Sequence, residues 1–214
     1  FGRGDDAMIV AQVAVSIGIL GAAVMVHQGW AAAHAGASVD LPAERILTAR
    51  LTLGGDPELP VAAGHLPSEL VEMRDVALEA ARGMAGVRAA TATDHVPGTD
   101  APIRRYELEG DGDLVSVPTA AVGSGFAETT GVEPVVGRFC TDGELRARQT
   151  GVAVLNESFV ALHLGGANAV GRRIRALGRE DAEPGPWREI VGVVPDLGMS
   201  AADPERSAGI YLPL

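Results

Sequence analysis

The chain has 214 residues, 47% of them hydrophobic and 21% charged, with a formal net charge of -11 at pH 7. That acid excess excludes a nucleic-acid surface, which needs basic side chains to replace phosphate counterions. All 17 basic residues are arginine, so neither a Walker A loop nor a pyridoxal Schiff base, both of which require lysine, can exist in this chain.

The first element in chain order is Ala7–Val26, AMIVAQVAVSIGILGAAVMV, which carries no charge and only Gln12 and Ser16 as polar side chains. At about 1.5 Å per residue such a run reaches about 30 Å as a helix, the thickness of a bilayer core. A transmembrane helix over 7–28 is the expectation. A cleaved signal peptide would need a basic flank and a shorter apolar run. The flank here is Arg3-Gly4-Asp5-Asp6, which is not basic overall. A buried core helix is the remaining alternative. Ala14, Gly18 and Ala22 recur every fourth residue and would let another membrane helix approach closely, although Gly and Ala are common throughout the chain. Trp30 suits an interfacial position. Arg3 precedes the run and the next arginine is Arg45, an asymmetry that favours the N-terminus inside and the following domain outside. The chain opens on Phe1 and closes on the strand-like IYLPL, so a piece of a longer protein is expected.

After an alanine-rich connection, Leu47, Ala49, Leu51 and Leu53 alternate with polar residues, the period of a half-buried strand. From Ser68 the period changes. Leu70, Met73, Ala77, Ala80 and Met84 form one helical stripe that Gly83 and Gly86 would end. Val87–Thr93 reads as a strand, which completes a βαβ unit. Ile103–Leu108 and Leu114–Val122 follow as strands around the turn Gly110-Asp111-Gly112. Ser124 is expected to cap a short helix, Gly125–Thr130, with Gly131 at its end. Val152–Leu155 is a strand and Asn156–Leu164 a helix that Asn156 caps. Arg172–Leu177, Glu189–Val194 and Ile210–Leu214 complete the strands.

No residue constellation makes a convincing catalytic or metal site. Asp94-His95 could be an acid–base pair, but it precedes Pro97-Gly98 and reads better as a loop pair. Gly123-Ser124-Gly125 is too short for a G-x-S-x-G nucleophile elbow. His27, His34, His65 and His163 lack the spacing of metal ligands. Cys140 is the only cysteine, which excludes an internal disulfide and a CxxC zinc site. Catalytic, cofactor and metal residues are therefore all expected to be none. Gly137-Arg138 reads as a turn glycine followed by a structural arginine.

Taken in order, RILTARLTL, SGFAETTGVEPVVGRFC, VAVLNESFVALHLGG, AVGRRIRAL, WREIVGVVPDL and IYLPL resemble the MacB-like periplasmic core domain of ABC transporter permeases of the MacB/FtsX class. Each phrase is weak alone, and their order over nearly the whole chain carries the resemblance. It implies an α/β (α+β) fold. An N-terminal transmembrane helix would lead into an extracytoplasmic domain with βαβ units and an inserted, mainly-β subdomain. Residues 45–133 plus 206–214 would form the first subdomain and 134–205 the insert. The resemblance further implies an inner-membrane permease with its main domain in the periplasm. There the domain would turn a partner subunit's ATP hydrolysis into extracytoplasmic motion. ATP would sit on that separate subunit, with no cofactor in this chain. The implied partners are the ATP-binding subunit, a second permease copy, a periplasmic adaptor and membrane lipid. Two readings from other classes stand beside this one. A membrane-anchored envelope binding or adaptor module would bind without nucleotide-linked motion, and a hydrolase would need a nucleophile–base pair at Ser124.

Overall fold

The computed structural model describes residues 45–50, 68–110, 112–146, 151–178, 183–200 and 207–214. The expected membrane helix over 7–28 lies outside them, as do residues 51–53 of the first expected strand. Among the described residues no helix is long and apolar enough to cross a membrane.

Helix α1 spans Ser68–Arg82 and follows the predicted period. Strands β1 (Ile103–Leu108) and β2 (Leu114–Val122) form the expected antiparallel hairpin, with Tyr106 opposite Val115. Gly110 and Gly112 hold positive φ angles of 105° and 66° in its turn, where a Cβ would be strained. Next come α2 (Phe126–Thr130), β3 (Val136–Gly137), α3 (Asp142–Arg146), β4 (Val152–Asn156) and α4 (Glu157–His163). Strands β5 (Arg173–Leu177), β6 (Arg188–Val194) and β7 (Ile210–Pro213) follow.

The seven strands among the described residues join one sheet in the order β3-β6-β4-β7-β2-β1-β5, and β5 also pairs with β6. Six strands therefore return on themselves as a ring. Arg173 and Ile174 of β5 take the start of β6, while β3 takes Gly192 and Val193 further along it. The β2–β7 and β4–β6 pairs are parallel, and the remaining ladders are antiparallel. The β4–β7 ladder joins residues 154–155 to 210–211, so strands of the expected first subdomain and of the expected insert share this sheet.

Side chains alternate between two apolar cores, one on each face. Tyr106, Val117, Leu155, Ile174, Ile190 and Ile210 fill the first, closed by Phe159 of α4. Val122, Phe126, Val154, Val191, Val194 and Tyr211 fill the second, under α2 and α3. A register shift in the β4–β6 ladder sets Val154 opposite Gly192, so β6 carries an extra residue. That bulge explains why Ile190 and Val193, three apart, point into the same core. In the first core the Tyr106 hydroxyl lies 3.1 Å from Thr119 Oγ1, which satisfies both buried polar groups.

Four sequence expectations are corrected. Residues 47–50 form no strand, and Leu47 is 96% exposed, because no described strand pairs with them. Val87–Thr93 is not a strand either. Only Thr93 bridges to Val122, and upstream of it the backbone carbonyls of Ala90 and Ala92 are taken by Arg82 Nη2 and Gly123 N in place of a strand partner. The first βαβ unit is therefore absent as paired strands among the described residues. The stripe on α1 is not a buried face, because Ala77, Ala80 and Met84 are exposed. Ser124 does not cap α2. Gly125 is the N-cap, in a left-handed conformation with no side-chain cap bond.

Candidate functional site

Gly137-Arg138 stands where β3 crosses the bulge of β6. Gly137 has a φ of 72°, and a Cβ there would collide with the Val191 carbonyl. A Cβ on Gly192 would collide with the Arg138 carbonyl. Two glycines thus let the two backbones touch, and Arg138 N donates to Val191 O at 3.0 Å. The guanidinium then forks onto Glu144, with Nη1 to Oε2 at 2.7 Å and Nη2 to Oε1 at 2.8 Å. Thr141 N donates to Glu144 Oε2 at 2.8 Å, and Glu144 N donates to Thr141 Oγ1 at 3.3 Å. This reciprocal pair is a capping box that starts α3. The Arg138 hydrogen bond holds the Glu144 carboxyl down to about 2. Thr141-x-x-Glu144 was the sequence signal for α3, which the apolar period misses because the helix has one buried residue, Leu145.

Asn156 is fully buried and ties three segments together. Its Oδ1 accepts from Phe159 N at 3.0 Å, the cap expected from sequence, and from Gly209 N at 2.7 Å. Its Nδ2 donates to Ser207 O at 2.7 Å. One side chain therefore starts α4 and fixes the entry to β7. Asp196, following β6, accepts from Ser158 Oγ at 2.8 Å and holds the same helix start.

Asp94 and His95 do not form a pair with each other. Asp94 Oδ1 accepts from Ala121 N at 2.6 Å, and its carboxyl is pushed up chiefly by burial. His95 is buried between Gly198 O and Thr99 Oγ1, each 3.4 Å from a ring nitrogen, and burial lowers its basicity. Gly98 N donates to Gly198 O at 2.7 Å and Ala101 N to Met199 O at 3.0 Å, so this loop is stitched to residues 198–199. Asp94 and His95 thus tie this loop to β2 and to residues 198–199.

Ser124 lines a cleft of about 270 Å³ together with Arg82, Arg88, Glu128 and Arg146. No histidine lines it, and no hydrogen bond from Ser124 to the carboxylates of Glu128 or Asp142, which do line it, is seen. Cys140 is buried, and burial pushes its thiol up to about 12, which leaves no thiolate at neutral pH. His163 packs on Phe159 with ring centroids 4.9 Å apart. Among the described residues no group of three or more His, Cys, Asp or Glu is placed to hold a metal ion. The best-organised polar contacts are thus ties between elements: Arg138–Glu144 at the β3/α3 junction and Asn156 at the β4/α4/β7 junction.

Solved structures similar to this chain include the extracellular domain of the noncanonic ABC-type transporter YknZ from Gram-positive bacteria. It is 14% identical with a TM-score of 0.47, and the match covers 65% of this chain and 62% of that one. The periplasmic region of MacB from Actinobacillus actinomycetemcomitans is 15% identical with a TM-score of 0.47, over 65% and 54% of the two chains. A domain of a putative permease protein from Porphyromonas gingivalis is 24% identical with a TM-score of 0.44, over 64% and 54%. The chain thus spans between about half and three fifths of these structures. It has no match among the curated proteins. The sequence profile of the MacB-like periplasmic core domain matches residues 7–214, from the apolar N-terminal run to the last strand, and the chain belongs to that family.

Proposed function

We propose that this chain is the periplasmic core of an ABC transporter permease of the MacB/FtsX type. It is anchored in the bacterial inner membrane through residues 7–28 and passes motion driven by a separate ATP-binding subunit to the periplasmic side. The observation that carries the reading is the family match over residues 7–214, which takes in the apolar run as well as the folded domain. The architecture supports it. A sheet closed on itself, pinned by Asn156 and by the Arg138–Glu144 fork, suits a body that would carry displacement without deforming. Transport, export or signalling would then belong to the whole assembly, with ATP on the partner, a second permease copy beside this one and an adaptor at the periplasmic end.

The test places spin labels at Leu162, 65% exposed on α4, in the full permease reconstituted with its ATP-binding subunit. Label-to-label distances between the two permease copies are then compared without nucleotide and with ATP trapped by vanadate. Coupling predicts a distance distribution that shifts with the nucleotide state. A distribution unchanged by nucleotide, in a complex whose ATPase turns over, would remove the coupling role and leave an anchored adaptor module.

A further inference from the structure

The cleft beside Ser124 gathers three arginines of this acidic chain around an opening. Arg82 comes from the last turn of α1, Arg88 from the segment that follows it and Arg146 from the end of α3. Arg82 is oriented from within, because its Nη2 donates to Ala90 O at 3.0 Å. The guanidinium lies against Gly125, where an added Cβ would come 3.9 Å from Nη2 and 2.9 Å from the Ala90 carbonyl. The glycine therefore keeps this wall open, and the other N–H groups of Arg82 stay available. Arg146 is paired with Asp142 at 3.5 Å, whereas Arg88 has no carboxylate partner among the described residues. Arg82 and Arg88 thus both face a cleft of about 270 Å³ without a carboxylate partner among the described residues. Ser124 adds a hydroxyl at the same opening. Two carboxylates, Asp142 and Glu128, also line the cleft and keep its excess positive charge small.

We propose that this cleft binds a small oxyanion, a phosphate or carboxylate group, held by Arg82 and Arg88 with Ser124 as a third donor. Guanidinium forks match both groups through paired N–H donors, and a charge-assisted bond of this kind is about twice as strong as a neutral one. The proposal is independent of the coupling role, because it concerns what the domain holds and not how it moves.

The test uses the full chain in detergent micelles and follows the arginine side-chain Nε–Hε resonances by NMR. Inorganic phosphate and acetate are titrated in separate arms, and sodium chloride at matched ionic strength is the screening control. The expected result is saturable shifts at Arg82 and Arg88 with phosphate, acetate or both; the tighter arm names the group. Arg88→Gln should weaken binding about tenfold, the loss expected for one charge-assisted contact. Arg105→Gln, on β1, should leave it unchanged. Backbone amide spectra confirm that the variants remain folded. The proposal is overturned if chloride gives the same shifts, if no arm saturates, or if Arg88→Gln binds as the parent does.

Discussion

Helix α1 and strands β4, β6 and β7 invert the usual relation between pattern and burial. The helix carries a clear apolar period, yet Ala77 and Ala80 of its stripe are exposed, as is Val76 at 69%. The strands have little period to read, since VAVLN, REIVGVV and IYLP are runs with both faces apolar. They nonetheless hold the centre of the molecule, with Val154, Leu155, Ile190 and Ile210 fully buried. A period shows which residues share a face, and only a partner decides whether that face is dry. Strands flanked by neighbours on both edges and packed on both faces need no alternation.

The largest effect that can break this contrast comes from matched truncations. Phe159 has 0% exposure and closes the first core, so Phe159→Ala should cost about 3–5 kcal/mol through lost burial and the cavity left behind. Val76→Ser on α1 should stay within about 0.5 kcal/mol, as surface substitutions do. Denaturant unfolding of both variants checks this. A Val76→Ser cost comparable to that of Phe159→Ala would mean that α1 is packed in solution.

A smaller effect sharpens the role of the ties. Asn156→Ala removes the acceptor for Phe159 N and Gly209 N and the donor to Ser207 O. Leaving buried backbone groups unsatisfied costs about 1–3 kcal/mol each when water cannot reach them, so a total of about 3 kcal/mol is expected. Hydrogen exchange locates it: the amides of Phe159 and Gly209 should lose protection before those of β1. Equal loss of protection across the sheet would show that Asn156 serves general packing and not this junction.

Much of the fold was legible. The predicted edges of β4, β5, β6 and β7 differ from the observed ones by a single residue, because each run is bounded by glycine, proline or a helix cap. The Asn156 cap was readable from its place between a strand and an apolar helix. The strand order was not, since β2–β7 and β4–β7 join residues far apart in sequence and local period carries no record of them. Strand β3, with two residues, is too short to show any period. The paired charges on the outer face of β1 and β5, Glu107–Arg175 and Glu109–Arg173, are likewise visible only once the register is known. Ser124 was misassigned as a cap because a serine before a helix is a good prior, whereas the close approach of Ala90 O selects glycine at the next position. At the cleft, only Ser124 stands out in the sequence. Arg82, Arg88 and Arg146 come from separate elements and share no spacing to detect.

The smallest effect is a pH dependence that separates the polar tie at α3 from the apolar core. Glu144 is held down to about 2 by the Arg138 fork, against an ordinary 4.5. Between those values the unfolded chain binds more protons than the folded one, so stability rises with pH across that window. The contribution is complete above the ordinary value and disappears as pH falls towards the depressed one. The side chains of Arg138 and Glu144 are 47% and 24% exposed, so solvent screening and the capping bonds together leave about 1 kcal/mol. Glu144→Gln should therefore be less stable than the parent by about that amount at pH 7. The two should converge in denaturant titrations as pH falls from 5 to about 2, the range in which the parent's carboxylate takes up its proton. Phe159→Ala should keep a constant deficit over the same range, because a cavity does not titrate. Parallel curves for Glu144→Gln and the parent down to the lowest pH would show that the fork adds nothing electrostatic. The capping box would then be left as the only reason for a glutamate at that position.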